Sequence, residues 1–479
     1  MQKLTFLAAA LLTAGTARAQ NNTHQSSTTG ADNSVSLVQT GQYNAAQATV
    51  TGDGNTVGAT QNGTSNRSTQ TIAGVANQAT LAQMGSNNTT TQSVNGLTNQ
   101  ITAAQTGRYN TGTQTLNGES NEATLSQTGN YNQATQTQTN STNASRVTLT
   151  QVGTSNIATQ QQNDSPLDNL VSLSQTGTGN NAKQQQSGFP YSLLKATQTG
   201  NYNTVIQYQR TYLEGGRAIV TQAGDFNYAS QTQEGGNTGT ITQLGSSNRA
   251  TQEQSEGKFG GNTGGISQTG TRNQASQIQT FGYNEATANQ NGSDNMLMQT
   301  QYGQGGSVSA TQTGNSNVVE QTQEAFYLST GRSAATQSGN NNRATQTQVG
   351  GSQASITQSG KRNTATQQQN TGYSTAITTQ NGNDNSATQV QNIVYTTVTA
   401  TILQNGNSNQ AAQKQERTFG DLTAQITQQG NGNKASQTQT NSLNEAIIEQ
   451  IGSGNTATQT QAGAGGADVA RMRILQEGT

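Results

Sequence analysis

The sequence predicts an all-β fold, a β-solenoid of about 19 rungs with two strands per rung of about 22 residues and a cross-β-like core. Three observations carry this prediction. The motif QxGxxN occurs nineteen times between Gln39 and Asn455, at intervals of 21 to 25 residues. Hydrophobic residues make up 28% of the chain and aromatic residues 4%, which is too little for an ordinary core. A formal net charge of -1 and two prolines do not fit a typical disordered chain.

The amino terminus predicts export. Lys3, the apolar run 4–14 and the small-x-small site Ala17-Arg18-Ala19 indicate a cleavable secretory signal over residues 1–19. The apolar run is too short to span a bilayer. Residues 20–34 are polar and are expected to form a flexible leader, a candidate secretion-targeting segment. Residues 35–479 are expected to form the repeat solenoid with a truncated last repeat.

Alternation within each repeat predicts two strands. Upstream of the first glutamine, Leu149 and Gln151 alternate with Ser and Thr, and downstream Ala134, Gln136 and Gln138 alternate with Thr. Between the strands lies GxxN, where Gly permits a positive φ, and Asn tolerates the left-handed region and is expected to bond its own backbone. Each rung is therefore predicted to be a strand, a tight turn, a second strand and a looser turn.

Stacked rungs explain the glutamine and asparagine content. Stacking at about 4.8 Å places each residue over its counterpart, so nineteen rungs would form a rod on the order of 90 Å long. An amide in such a row can donate to one neighbour and accept from the other, which removes the cost of burying it. The predicted structural ladder residues are Gln127, Gly129, Asn132, Ala134, Gln138, Gln151, Gly153, Asn156, Gln162, Gln337, Gly339, Asn342, Gln348, Gln450, Gly452, Asn455 and Gln461.

Aromatic and charged residues collect in the variable linkers between rungs. These linkers are expected to be exposed loops along one edge, and tolerated insertion is favoured over a binding role. They are residues 188–191, 212–214, 258–259, 326–328 and 417–419.

The sequence lacks the residues that form common catalytic or metal sites, so no catalytic, cofactor-binding or metal-ligating residue is predicted. His24 is the single histidine, which leaves no histidine-based triad or multi-histidine metal site. Asp53, Asp225, Asp294 and Asp384 fall in GxxN turns, where a structural role is favoured. The protein is therefore predicted not to be an enzyme. Its weak net charge gives no reason to bind nucleic acid, and membrane insertion is not expected.

The motif QxGxxNxAxxxQ, preceded by alternating small and aliphatic residues, resembles the curlin repeat of curli fibre subunits. The likeness covers residues 35–478, which would make the chain an unusually long member. It implies a functional amyloid, a cell-surface fibre secreted by a Gram-negative bacterium that supports adhesion, surface colonisation and the biofilm matrix. The partners it implies are further copies of the chain, a nucleator subunit, an outer-membrane secretion channel, and host or abiotic surfaces.

Two alternatives remain. A monomeric β-solenoid adhesin or stalk would have the same fold. An ice-binding solenoid would present aligned TxT rows, which Thr135 and Thr137 fit, but Thr251 and Glu253 interrupt the row, so this alternative is less favoured. Fibre formation is favoured because exposed strand edges recruit further strands. Residues 472–478 resemble the first half of a twentieth unit, which is expected to offer such a strand.

Overall fold

The computed structural model describes most of the repeat region. The described residues are 21–142, 144–163, 167–188, 190–212, 214–255, 260–325, 330–370, 373–392, 397–416, 421–440, 444–462 and 470–477. The predicted signal peptide lies outside them. Every regular element in these ranges is a β-strand, and none of them contains a helix long and apolar enough to cross a membrane. The chain divides into two compact units, Met1–Gly236 and Asn237–Thr479.

The first unit contains strands β1 to β19. In chain order they are β1 Thr23–Thr29, β2 Ser34–Gln42, β3 Ala45–Thr51, β4 Thr56–Thr64, β5 Arg67–Val75, β6 Gln78–Ser86, β7 Thr89–Leu97, β8 Gln100–Arg108, β9 Thr111–Glu119, β10 Glu122–Asn130, β11 Gln133–Thr142, β12 Arg146–Thr154, β13 Ile157–Asn163, β14 Leu170–Thr178, β15 Asn181–Gly188, β16 Leu193–Thr199, β17 Thr204–Thr211, β18 Arg217–Ala223 and β19 Tyr228–Glu234.

The second unit contains strands β20 to β40. In chain order they are β20 Thr238–Ser246, β21 Arg249–Ser255, β22 Thr263–Thr271, β23 Gln274–Thr280, β24 Glu285–Ser293, β25 Met296–Gly303, β26 Ser307–Asn315, β27 Val318–Ala325, β28 Arg332–Asn340, β29 Arg343–Val349, β30 Gln353–Lys361, β31 Thr364–Gln369, β32 Ser374–Asn383, β33 Ser386–Asn392, β34 Val398–Asn405, β35 Gln410–Glu416, β36 Leu422–Gln429, β37 Lys434–Thr440, β38 Asn444–Ile451, β39 Thr456–Ala462 and β40 Ala470–Glu477.

In each unit, even-numbered strands form one parallel sheet and odd-numbered strands form another, here called the even sheet and the odd sheet. Each strand pairs with the strand two places along the chain, as β10 does with β12 and β11 with β13. The register aligns equivalent repeat positions, so that Gln127 lies opposite Gln151 and Ala134 opposite Ala158. Each unit is therefore a β-solenoid with two strands per rung, and the predicted fold is confirmed.

The core lies between the two sheets and is thin. In β12 the buried residues Val147, Leu149 and Gln151 alternate with residues of greater exposure. The buried hydrophobic side chains of the described residues are all Ala, Val, Leu or Ile. Because none of these is aromatic, the sheets can pack close together. Tyr191 and Tyr212, in two of the predicted linkers, are exposed. The predicted linkers 258–259, 326–328 and 417–419 lie outside the described residues.

The structure differs from the sequence prediction at the amino end and in the turns. Thr23–Thr29 forms β1, which pairs in parallel with β3, so a strand lies within the segment expected to be a flexible leader. In many rungs the strand before the turn also extends past the turn glycine: β10 includes Gly129 and ends at Asn130, although the sequence predicted the strand to close at Gln127. The residue with φ of 58° is Tyr131, so the left-handed conformation falls one position before Asn132. The predicted bond of the asparagine to the backbone of its own turn is present, as from Nδ2 of Asn156 to the oxygen of Val152 at 3.4 Å, and the side chain also bonds the neighbouring rungs.

Candidate functional site

The first glutamine of each repeat forms a continuous row in the core. Gln127 and Gln151 are buried in the even sheet, where Nε2 of Gln127 donates to Oε1 of Gln151 at 2.8 Å, and Gln151 donates to Gln175 at 2.8 Å. The same Nε2 of Gln151 also donates to the backbone oxygen of Gln133 in the odd sheet at 3.0 Å. Each amide therefore bonds along the stack and across the core, which satisfies buried polar groups and joins the two sheets.

The same row is present in the second unit. Gln337 accepts from Gln312 at 3.0 Å and donates to Gln358 at 2.8 Å. Gln450 donates to Gln476 at 2.8 Å, and β40 pairs in parallel with β38. The last predicted half repeat therefore continues the row.

The odd sheet carries two further glutamine rows. The closing glutamines form one of them: Gln138 donates to Gln162 at 2.7 Å, and Gln162 donates to Gln186 at 2.9 Å. In the second unit, Gln348 donates to Gln369 at 2.9 Å, and Gln461 accepts from Gln439 at 3.1 Å.

The other odd-sheet row passes through the middle glutamine. Gln136 donates to Gln160 at 3.0 Å and, across the core, to the backbone oxygen of Thr124 at 3.0 Å. Sequence reasoning placed Gln136 inward but did not include this row among the ladder residues. The QxQ spacing is the signal that identifies it, because alternate residues of a strand share a face. Ala134, on the same face, is buried and lies between Gly112 and Ala158 in register.

The turn glycine and asparagine form a fourth hydrogen-bonded row, which lies at the corner of the rungs. The backbone nitrogen and Nδ2 of Asn156 both donate to Oδ1 of Asn132 at 3.1 Å. Nδ2 of Asn156 also donates to the backbone oxygen of Gly177 in the next rung at 2.9 Å. A Cβ on Gly153 would overlap that same oxygen, and Gly153 has φ of 120°. Glycine is therefore required both by the backbone conformation and by the close approach of the next rung.

Equivalent corners hold the remaining predicted turn residues. Gly129 has φ of 116°, and a Cβ on it would overlap the backbone oxygen of Gly153, which accepts from Asn132 at 3.0 Å. In the second unit, Asn342 donates to the backbone oxygen of Gly360 at 2.9 Å, next to Gly339. Further along, the backbone oxygen of Gly452 accepts from Asn433 at 2.8 Å, and the backbone nitrogen of Asn455 donates to Oδ1 of Asn433 at 3.0 Å.

The residue immediately before each corner asparagine, here called the turn position, was not singled out from the sequence. Several turn positions in consecutive rungs contact each other on the surface. The rings of Tyr109 and Tyr131 stack with centroids 5.0 Å apart, and those of Tyr202 and Phe226 stack at 5.2 Å. The pairing of like residue types at a fixed repeat position is the signal that would have identified it.

Two ion pairs occupy the same position in the second unit. Arg272 donates through Nε and Nη2 to the two carboxylate oxygens of Asp294, at 2.7 and 2.8 Å, and Arg362 contacts Asp384 in the same way at 2.6 Å. The hydrogen bonds from Arg272 lower the pKa of Asp294, and those to Asp294 raise the pKa of Arg272. The pKa values of Asp384 and Arg362 move in the same directions for the same reason.

The acidic turn residues bind neighbouring rungs. Besides the two ion pairs, Asp53 accepts from the backbone nitrogen of Ala31 at 2.7 Å, and Asp225 accepts from that of Asn201 at 2.8 Å. His24 is exposed in β1. Among the described residues there is no group of three or more His, Cys, Asp or Glu side chains that could hold a metal ion.

These features define the class of protein: a repeat protein with a structural core of amide rows, built as a parallel β-solenoid. Residues 118–153 match the family model described as the curlin associated repeat. The matched segment runs through β10 and β11 into β12 and so contains a complete rung. A search of curated proteins found no match. The resemblance seen in the sequence is thus confirmed over these residues.

Proposed function

We propose that the protein is an extracellular structural protein whose copies assemble into curli-like fibres, a functional amyloid that supports adhesion, surface colonisation and the biofilm matrix. The observation that carries the proposal is the repetition of one bonding pattern. Gln151 accepts from the rung before it and donates to the rung after it at the same distance of 2.8 Å. Each rung therefore offers the next rung the same amide donors and acceptors that the preceding rung offered to it. A rung of another copy can form the same hydrogen bonds and so extend the rows.

Export fits this proposal. Residues 1–19 would direct secretion, and residues 20–34 would target the chain to an outer-membrane channel. A nucleator subunit and host or abiotic surfaces are the further partners. The proposed fibre needs no cofactor.

Assembly can be tested with the purified chain starting at Gln20. We expect micromolar protein to form fibres with a diffraction reflection near 4.7 Å and to show thioflavin kinetics that preformed fibres accelerate. Protein that stays monomeric under these conditions, by light scattering after size-exclusion chromatography, would contradict the proposal.

A triple variant tests whether the rows drive assembly. Replacement of Gln151, Asn156 and Gln162 by Ala should slow fibre formation, because these residues bond to the rungs before and after them. Gln161→Ala is the matched control, since Gln161 lies on the outer face of the same rung and is only half-buried. Equal kinetics for the triple variant and the control would show that the rows do not drive assembly.

A monomeric adhesin or stalk is the second candidate. It is favoured by the extent of bonding within one chain, where the glutamine row is continuous from Gln39 to Gln222 in the first unit. Rungs joined in this way do not need a partner chain to satisfy their amides. A monomer that binds surfaces while remaining monomeric at all concentrations tested would support this candidate over the fibre.

A further inference from the structure

The amide rows hold rungs together but do not distinguish one rung from another. Gln127 to Gln151 and Gln151 to Gln175 are joined by the same bond at 2.8 Å, and the corner asparagines repeat their contacts in the same way. A rung could therefore stack on a wrong neighbour, in its own chain or in another copy, with nearly the same core contacts. Identical, repeating strands specify their pairing weakly. The information that selects neighbours must lie at variable positions.

The turn position is variable and conformationally demanding. Tyr109, Tyr131, Arg272 and Arg362 all have φ between 54° and 58°. Bulky residues rarely adopt this left-handed conformation, which glycine, asparagine and aspartate tolerate better. Glycine does occupy the position in other rungs, at Gly432 for example, with φ of 65°. An arginine or tyrosine here therefore carries a conformational cost that an interaction with a neighbouring side chain can offset.

That interaction comes from the adjacent rung. Tyr109 and Tyr131 stack with their ring planes 4° apart, and Tyr202 and Phe226 with theirs 10° apart. Arg272 and Arg362 each make a two-pronged contact with the aspartate one rung further along the chain. The opposite corner has a pair of the same kind, because the hydroxyls of Thr98 and Ser120, both at the turn position, lie 2.9 Å apart. In each of these pairs the two side chains are chemically complementary.

We propose that these turn-position pairs specify which rung stacks on which within the chain. A rung order that stacked Arg272 on Arg362 would place two like charges on backbones about 4.8 Å apart. Like charges at that separation repel, whereas the observed order places each arginine on an aspartate.

Charge reversal in the soluble monomer tests this proposal. Asp294→Arg places two arginines in consecutive turn positions, and R272D/D294R restores an ion pair with unchanged composition. We expect the single variant to raise amide exchange rates in β22 and β24 by roughly two- to five-fold, as is typical of a surface pair, and the double variant to return them close to wild type. Equal exchange in the single variant and the wild type would overturn the proposal, as would a double variant no better than the single.

The aromatic pair gives an independent measurement. In a double-mutant cycle of Tyr109→Ala and Tyr131→Ala, the two substitutions should not be additive, because each removes the same ring contact. Additive effects on exchange in β8 and β10 would mean that the rings act separately, and would overturn the assignment of this pair.

Discussion

Replacing one buried glutamine should destabilise its rung far more than replacing the neighbouring exposed one. Gln162 is fully buried, accepts from Gln138 at 2.7 Å and donates to Oε1 of Gln186 at 2.9 Å. In Gln162→Ala, Nε2 of Gln138 keeps its bond to the backbone oxygen of Ser145 at 3.1 Å, but the oxygen of Gln186 loses this donor. A buried acceptor that has lost its donor lowers the local stability by about 1–3 kcal/mol, and the lost side-chain volume lowers it by about 1–2 kcal/mol more.

The local free energy of unfolding should therefore fall by about 2–5 kcal/mol. The effect should be confined to the rungs around the substitution, because a solenoid is stabilised by nearest-neighbour contacts. Native-state hydrogen exchange, read by mass spectrometry on β11, β13 and β15, measures this local loss. A loss of about 3 kcal/mol would accelerate exchange by about a hundred-fold.

Two variants control the experiment. Gln161→Ala, one residue away on the outer face, should change local stability by less than about 0.5 kcal/mol. Gln162→Met keeps most of the volume and removes the hydrogen bonds, so it separates the polar contribution from packing. If Gln162→Ala and Gln161→Ala exchange at the same rate, the buried row does not stabilise the rung and the reasoning is refuted.

Three further predictions concern the corners. Gly153→Ala should cost about 2–5 kcal/mol, because its Cβ meets the oxygen of Gly177 and its φ is 120°; unchanged thermal unfolding would contradict this. Asn156→Asp should cost more than about 3 kcal/mol, since it removes the Nδ2 donor and buries a carboxylate beside backbone oxygens; exchange in β12 and β14 measures it. The Arg362 hydrogen bonds lower the pKa of Asp384, so this pair should stabilise the fold above the ordinary aspartate pKa and lose its effect as the pH falls through the folded value. Asp384→Asn should remove that part of the pH dependence of exchange in β30 and β32, because it removes the titrating carboxylate and leaves Arg362 in place.

The repeat register was predictable because it depends on spacing alone. Alternation around Leu149 and Gln151 identified the inward face, and the structure buries both residues completely. The turn was less predictable. Both Tyr131 and Asn132 lie in the GxxN turn, and only the backbone path shows that Tyr131 is the residue with positive φ. Asn132 instead accepts two hydrogen bonds from Asn156, a contact between residues 24 positions apart.

The leader shows a different limit of sequence reasoning. Residues 23–29 lack the aliphatic alternation that identifies the other strands, and they were expected to be flexible. They form β1 because β3 offers a backbone edge in register with them, and backbone pairing does not require a hydrophobic side chain. The strand is largely exposed, in keeping with its polar sequence.

The sequence by itself determined the fold class, the length of the rung, and the glutamines and asparagines that point inward, because strand periodicity and repeat spacing are local properties of a chain. Only the tertiary structure decided which groups each amide bonds. Gln151 reaches both Gln175 in the next rung and the backbone of Gln133 across the core, and these partners become neighbours only when rungs stack. The turn-position pairs were decided in the same way, since Arg272 and Asp294 are separated by a full repeat and meet only through the common register of the sheets.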